Sequence, residues 1–112
     1  MHIKYPYGQP EQGLDVLCRL IARSYSYIID ADREEYGSTA PQLEMYWFPV
    51  SKRTPKGAWI SGNKFVLLSA NKRYACNTPE EAIESFRMRR KRQIRLLSAQ
   101  LKRAEYDLAL LN

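Results

Sequence analysis

Between Ser85 and Arg95 the chain reads SFRMRRKRQIR, and six of these eleven residues are Arg or Lys. Cations at this density offer one main chemistry: they neutralise phosphate or carboxylate and release the counterions those groups carried. More cations gather at the strand ends and turns just upstream, as Lys52, Arg53, Lys56, Lys64, Lys72 and Arg73. Together with Arg87, Lys91, Arg95 and Lys102 they make a candidate surface for nucleic acid or for an acidic protein. Tyr46, Trp47 and Trp59 are the aromatics that could stack on a base, although such residues in strands more often pack the core or a sheet face. The bland reading of the basic row is a solvated helix face.

Other reactive side chains are sparse. The only histidine is His2, so no imidazole in the body of the chain can activate a Ser or Cys nucleophile or join a metal cluster. Asp30, Asp32 and Glu34 could hold a magnesium ion, but acidic clusters in loops are commonly only solvated. Cys18 and Cys76 lack CxxC spacing, which points to reduced, structural thiols rather than a bridge or a redox pair. There is no glycine-rich phosphate loop. The expectation is a protein that binds rather than catalyses, without cofactor or metal.

The elements that must position these residues begin with a division of charge. The net charge is +6, but residues 1–50 carry four Lys/Arg against seven Asp/Glu, net −3, and residues 51–112 carry fourteen against five, net +9. The second half therefore draws anions. A length of 112 residues, 45% hydrophobic and 27% charged, fits one folded domain. MHIKYPYGQP has no apolar run after Lys4, and no stretch of 18 apolar residues occurs, so neither a secretory signal nor a membrane span is expected and the cytoplasm is the expected compartment.

Residues 1–13 read as an irregular lead-in, 14–76 as mainly β, and 78–111 as a long helix. Val16 to Ile29 is closer to period two than to 3.6, which favours one long strand over a competing helix. DADREEYGSTAPQ reads as a loop. LEMYWFPVSKR is a strand, bulged or at an edge because Pro49 cannot donate to a ladder. TPKG is a tight turn, and AWIS with KFVLLSA forms a hairpin across Gly62-Asn63. The fold class is therefore α+β: a four-stranded antiparallel sheet followed by one long C-terminal helix.

Thr78-Pro79-Glu80-Glu81 is a capping box that starts the helix, and neither Pro nor Gly follows it. Ile83, Phe86, Ile94, Leu97, Leu101, Ala104 and Leu108 share one stripe roughly 80° wide. Arg87, Lys91, Arg95 and Lys102 line up beside it. Arg90 falls within the stripe and needs either a carboxylate from Asp30, Asp32, Glu34 or Glu35, or a place where the helix leaves the core. From Ile94 the apolar residues step by 3, 4, 3, 4, 3 through Leu97, Leu101, Ala104, Leu108 and Leu111, an a/d heptad seam. A symmetric homodimer through Ile94, Leu97, Leu101, Ala104 and Leu108 is the expectation.

The order of Thr54–Gly57, Trp59, Lys72–Ala75, Thr78–Ala82 and Arg89–Gln93 resembles small, mostly uncharacterised accessory proteins of tailed bacteriophages and prophages. In that family a Thr-Pro-Lys-Gly turn, a Trp-bearing strand, a Lys-Arg-Tyr/Phe-Ala segment, a Thr-x-Glu-Glu-Ala cap and a basic helix follow in sequence. The resemblance covers about 40 of the 112 residues and lends no catalytic residue. It implies a non-enzymatic protein of an infected or lysogenic bacterial host that binds and blocks or remodels a host protein or nucleoprotein complex, such as a CRISPR effector. The alternative is a basic nucleic-acid-binding accessory or regulatory protein.

Overall fold

A computed structural model of the protein describes residues 2–112. The elements are β1 (Ile3–Lys4), β2 (Val16–Arg23), β3 (Ser26–Asp30), β4 (Glu35–Ser38), β5 (Gln42–Arg53), β6 (Gly57–Ile60), β7 (Lys64–Leu67) and α1 (Pro79–Ala109). The class is α+β with a C-terminal helix, as the sequence implies.

The twelve-residue strand β5 is the spine of the sheet. It pairs antiparallel with β2 from Arg23↔Gln42 to Val16↔Pro49, then continues antiparallel with β6 from Val50↔Ile60 to Arg53↔Ala58. The register shifts between Val50 and Lys52, just beyond Pro49, where the ladder changes partner. Pro49 itself, which cannot donate to a ladder, sits at the end of the pairing with β2, opposite Val16. Strands β2, β5, β6 and β7 are mutually antiparallel neighbours, but β1 adds a fifth strand, parallel to β5 through Ile3↔Leu43 and Lys4↔Glu44. The sheet is therefore mixed, not four-stranded antiparallel, and the lead-in is not wholly irregular. Two residues are too few to show a period in sequence, and Ile3 and Tyr5 are held by packing against the cluster around Leu20 and Met45.

Strand β2 is buried on both faces. Leu17 packs with Ala58, Ile60, Val66 and Ala75, while Cys18 and Leu20 pack with Met45, Cys76 and Ala82. The long strand expected over Val16–Ile29 is broken at Ser24 and Tyr25. Beyond the break, β3 pairs with β4 as a separate two-stranded ribbon, and β4 lies in the segment read as a loop. Alternation persists through the bend, so periodicity alone could not reveal it. The β6–β7 hairpin forms as expected, with Ile60↔Lys64 closing a three-residue loop, Ser61 to Asn63, in place of a two-residue turn. Ser61 and Gly62 both have positive φ, 50° and 80°. At the Thr54–Gly57 turn, Gly57 is required by space, since an added Cβ would sit 2.0 Å from the Val66 carbonyl oxygen.

The helix starts as its cap predicts: the Thr78 hydroxyl accepts from the Glu81 amide at 3.1 Å. Its entry is fastened to β2 by reciprocal backbone hydrogen bonds between Cys18 and Cys76, both 2.7 Å, with both thiols free and buried. Ala82 is the one fully buried helix residue, and every residue from Lys91 onward is exposed. The radius of gyration is 19.2 Å, against about 13 Å for a compact chain of similar length.

The ribbon is tied to the sheet through Glu44, a carboxylate on β5 that is 3% exposed. Tyr25 and Tyr46 hydroxyls donate to it at 2.6 and 2.7 Å, and Arg23 Nε stands 3.5 Å away. These donors favour the charged form and hold the Glu44 pKa below its ordinary 4.5, while the same bond pushes Tyr46 up to about 12. A lowered carboxylate pKa contributes stability that is full above the unfolded value and lost as pH falls through the folded one. A raised tyrosine pKa contributes stability that is full below the unfolded value and lost as pH rises through the folded one. Burial also pushes the Cys18 and Cys76 thiols above their ordinary 9.0, so the urea midpoint should be flat from about pH 5 to 8 and fall on both sides. Glu44→Gln should lower that plateau and flatten its acid limb. Gly57→Ala should cost roughly 1–3 kcal/mol in urea denaturation, because its methyl meets backbone.

Candidate anion-binding groove

Segment 71–74 passes the edge of β2 on its way to the helix cap and forms one wall of a groove; the helix forms the other. Arg19 holds this segment: its Nη1 donates to the Tyr74 carbonyl at 2.6 Å and its guanidinium lies 4.4 Å from the Tyr74 ring centroid. Lys64 Nζ also lies 3.2 Å from that centroid. Arg73 is fixed by its bond to the Ala70 carbonyl at 3.0 Å and by Glu81 at 3.2 Å. The facing helix surface presents Ser85, Met88, Arg89, Arg92, Gln93, Arg95 and Leu96, and the groove encloses about 610 Å³.

Its walls carry five cations, Lys72, Arg73, Arg89, Arg92 and Arg95, and no carboxylate. Arg89 is the most constrained. Its Nη2 donates to the Leu20 carbonyl at 2.8 Å, while its Nε is buried without a partner. Burial first, then the Arg19 and Arg90 charges, pull its pKa below the ordinary arginine value. Cations crowded in this way attract an anion, and a polyanion with regularly spaced charges can engage several at once. Tyr74, Met88 and Leu96 supply apolar surface beside them.

A second, smaller groove of about 250 Å³ lies where the helix meets β2 and β5, lined by Leu20, Leu43, Ile83, Phe86 and Ile94 with Arg87, Arg90 and Lys91 at its rim. Arg90 here is exposed, donates to Gln93 Oε1 at 2.6 Å and lies 5.4 Å from the Phe86 ring centroid. None of the expected carboxylates meets it. It is tolerated because the helix leaves the core at that turn.

The structure thus redistributes the expected surface. Lys72, Arg73 and Arg95 line the larger groove, whereas Arg87 and Lys91 border the smaller one and Arg87 pairs with Glu84. Arg53 is occupied, holding Asp15 at 2.6 and 2.8 Å and Asn77 at 2.6 Å. Lys52, Lys56 and Lys102 line neither groove. Arg89 and Arg92 belong to the site although the helical wheel gives them no shared row with the others. What unites them is segment 71–74, and the only hint in sequence is Lys72-Arg73 immediately before the cap.

Asp30 Oδ1 accepts from the backbone amides of Asp32 and Arg33 at 3.0 and 3.4 Å, an Asx turn within the ribbon. Among the described residues no group of three or more His, Cys, Asp or Glu could hold a metal ion, and no helix is long and apolar enough to cross a membrane. Of the aromatics, Trp47 donates to the Gly8 carbonyl at 2.8 Å, Tyr46 binds Glu44, and Trp59 packs on Phe65 with centroids 5.2 Å apart. None of the three lines the groove.

No protein-family model, curated protein or solved structure matches this chain.

The groove predicts a specific pattern of salt-dependent binding to oligonucleotides. Replacing Arg92 and Arg95 together by Glu should reduce the slope of log affinity against log salt by about 2, measured by fluorescence anisotropy. Lys52→Glu with Lys56→Glu should change the slope by less than half as much.

Proposed function

We propose that this chain is a non-enzymatic accessory protein of the phage type that acts by binding a host nucleoprotein complex, in the cytoplasm of an infected or lysogenic bacterium. The observation that carries the reading is the groove of five cations without a carboxylate. It suits a phosphate backbone held within an assembly. The resemblance of Thr54–Gly57, Lys72–Ala75, Thr78–Ala82 and the basic helix to small phage and prophage proteins supports the biological setting. Blocking or remodelling a host complex is what binding without chemistry can accomplish, and an anti-defence role is one such use.

The β3–β4 ribbon favours a protein component in the target. Tyr27, Ile28, Ile29 and Tyr36 are all more than half exposed on it, and exposed apolar residues grouped in this way mark contact surfaces. A second reading, nucleic-acid binding without any protein partner, rests on the groove alone.

Capture from bacterial lysate with the tagged protein, with and without nuclease, separates the two. A protein partner that survives nuclease but is released by Tyr27→Ser with Ile29→Ser supports the first reading. Loss of every partner after nuclease establishes the second. If Arg92→Glu with Arg95→Glu changes neither capture, the groove has no part in function. A magnesium-dependent hydrolytic activity lost on Asp30→Asn or Asp32→Asn would overturn the non-enzymatic assignment.

A further inference from the structure

The C-terminal half of α1 presents an apolar seam to water. Ile94, Leu97, Leu101, Leu108 and Leu111 are each more than half exposed, up to 83% at Leu111. A monomer gains nothing from such a seam: an isolated helix is marginal in water, and its apolar stripe is stabilised only by a partner. The heptad spacing states the form of that partner, another helix with the same kind of stripe.

The direction of the partner follows from charge. Residues 87–95 of the helix carry six cations and no carboxylate, whereas 96–112 carry Lys102 and Arg103 balanced by Glu105 and Asp107. Two helices side by side in parallel would bring the two six-cation segments together and set Arg87 and Arg90, which continue the a and d positions, against their own copies. Antiparallel helices place those segments at opposite ends. The helix also has acidic residues in its first turn but no basic residue in its last turn. Its C-terminal carbonyls thus lack the cation that ordinarily complements the helix dipole. An antiparallel neighbour brings Arg90 and Lys91, which stand beside Ile94 at its end of the seam, to that point.

The register follows from the seam. Pairing all six apolar positions without placing an arginine among them sets Ile94 against the partner's Leu111, Leu97 against the partner's Leu108 and Leu101 against the partner's Ala104. Each copy's Ile94 end also opens on the apolar groove formed with Leu20, Leu43 and Phe86, so the partner's Leu111 arrives at its mouth. The cationic groove lies on the other side of the helix, lined by Met88, Arg89, Arg92 and Leu96. It stays open.

We infer that the protein forms an antiparallel homodimer through residues 94–111, the C-terminal part of α1 and the turn that follows it, with the cationic groove of each copy left free for its anionic partner. The sheet bodies then stand at the two ends of a short two-helix junction, and one dimer presents two cationic grooves.

Cysteine cross-linking tests both orientation and register. Ile94→Cys mixed with Leu111→Cys should give a disulfide-linked heterodimer under mild oxidation, with the parent chain, whose Cys18 and Cys76 are buried, as the background control. Ile94→Cys alone should not link to itself, since the two copies of this position stand about 25 Å apart along antiparallel helices, 17 residues at 1.5 Å each. Self-linked Ile94→Cys as the main product overturns the antiparallel arrangement. Light scattering at micromolar concentration should give twice the chain mass, halved by Leu101→Asp with Leu108→Asp while circular dichroism retains the sheet. A monomeric parent overturns the dimer and leaves the seam to a foreign chain. A dimer unmoved by the double substitution overturns the seam.

Discussion

A 31-residue helix packed against an eight-residue strand is the constraint from which the rest of this structure follows. At 1.5 Å per residue the helix is about 46 Å long, while a strand of eight residues covers about 27 Å. The overhang is unavoidable. Only the first three turns of α1 find the sheet, through Ala82, Ile83 and Phe86 against Cys18 and Leu20, and the remainder stands in solvent with its leucines exposed. The elongated outline, 62 × 39 × 29 Å, is the direct geometric result.

Because so little of the helix is packed, its attachment depends on what happens just before it. The paired Cys18 and Cys76 backbones, the Arg19 bond to Tyr74, and Arg53 bridging Asp15 and Asn77 fix segment 71–77 to both β2 and β5. The same contacts create the cationic groove, since they hold Lys72 and Arg73 opposite Arg89, Arg92 and Arg95. The attachment of the helix and the shape of the groove are therefore not separable here. An arginine such as Arg89, half-buried among other cations with one nitrogen unpartnered, is electrostatically unfavourable in the free protein, and an anion in the groove relieves that strain.

The helix divides its labour by face. One side carries the groove cations, the other an apolar seam, and the turn around Arg90 is where the second emerges from the core. The β3–β4 ribbon is a further projection: a lone hairpin is marginal in water, and this one is secured at its base, where Tyr25 exchanges hydrogen bonds with Thr39 and donates to Glu44. Both projections are held at one end only and leave large apolar side chains in water, Tyr27, Ile28, Ile29 and Tyr36 on the ribbon and the leucines of the seam on the helix.

The sequence by itself determined whatever depends on local patterning. The Thr78 cap, an uninterrupted helix to its end, the Thr54–Gly57 turn, the β6–β7 hairpin and the four antiparallel strands were legible because periodicity, turn chemistry and capping act within a few residues. The excess of charge in the second half was legible as well, since it needs only counting. What only the tertiary structure decided is how distant segments meet. It broke the long first strand at Ser24 and Tyr25, because the Tyr25–Glu44 bond is made across 19 residues. It added β1 to β5, a pairing across 40 residues that two residues of strand cannot announce. It chose Arg89 and Arg92 over Lys52, Arg53 and Lys56 for the groove, because a wheel orders residues along one helix and cannot know which side another segment will cover. Long-range packing sets that side, and its contacts leave no period in the chain.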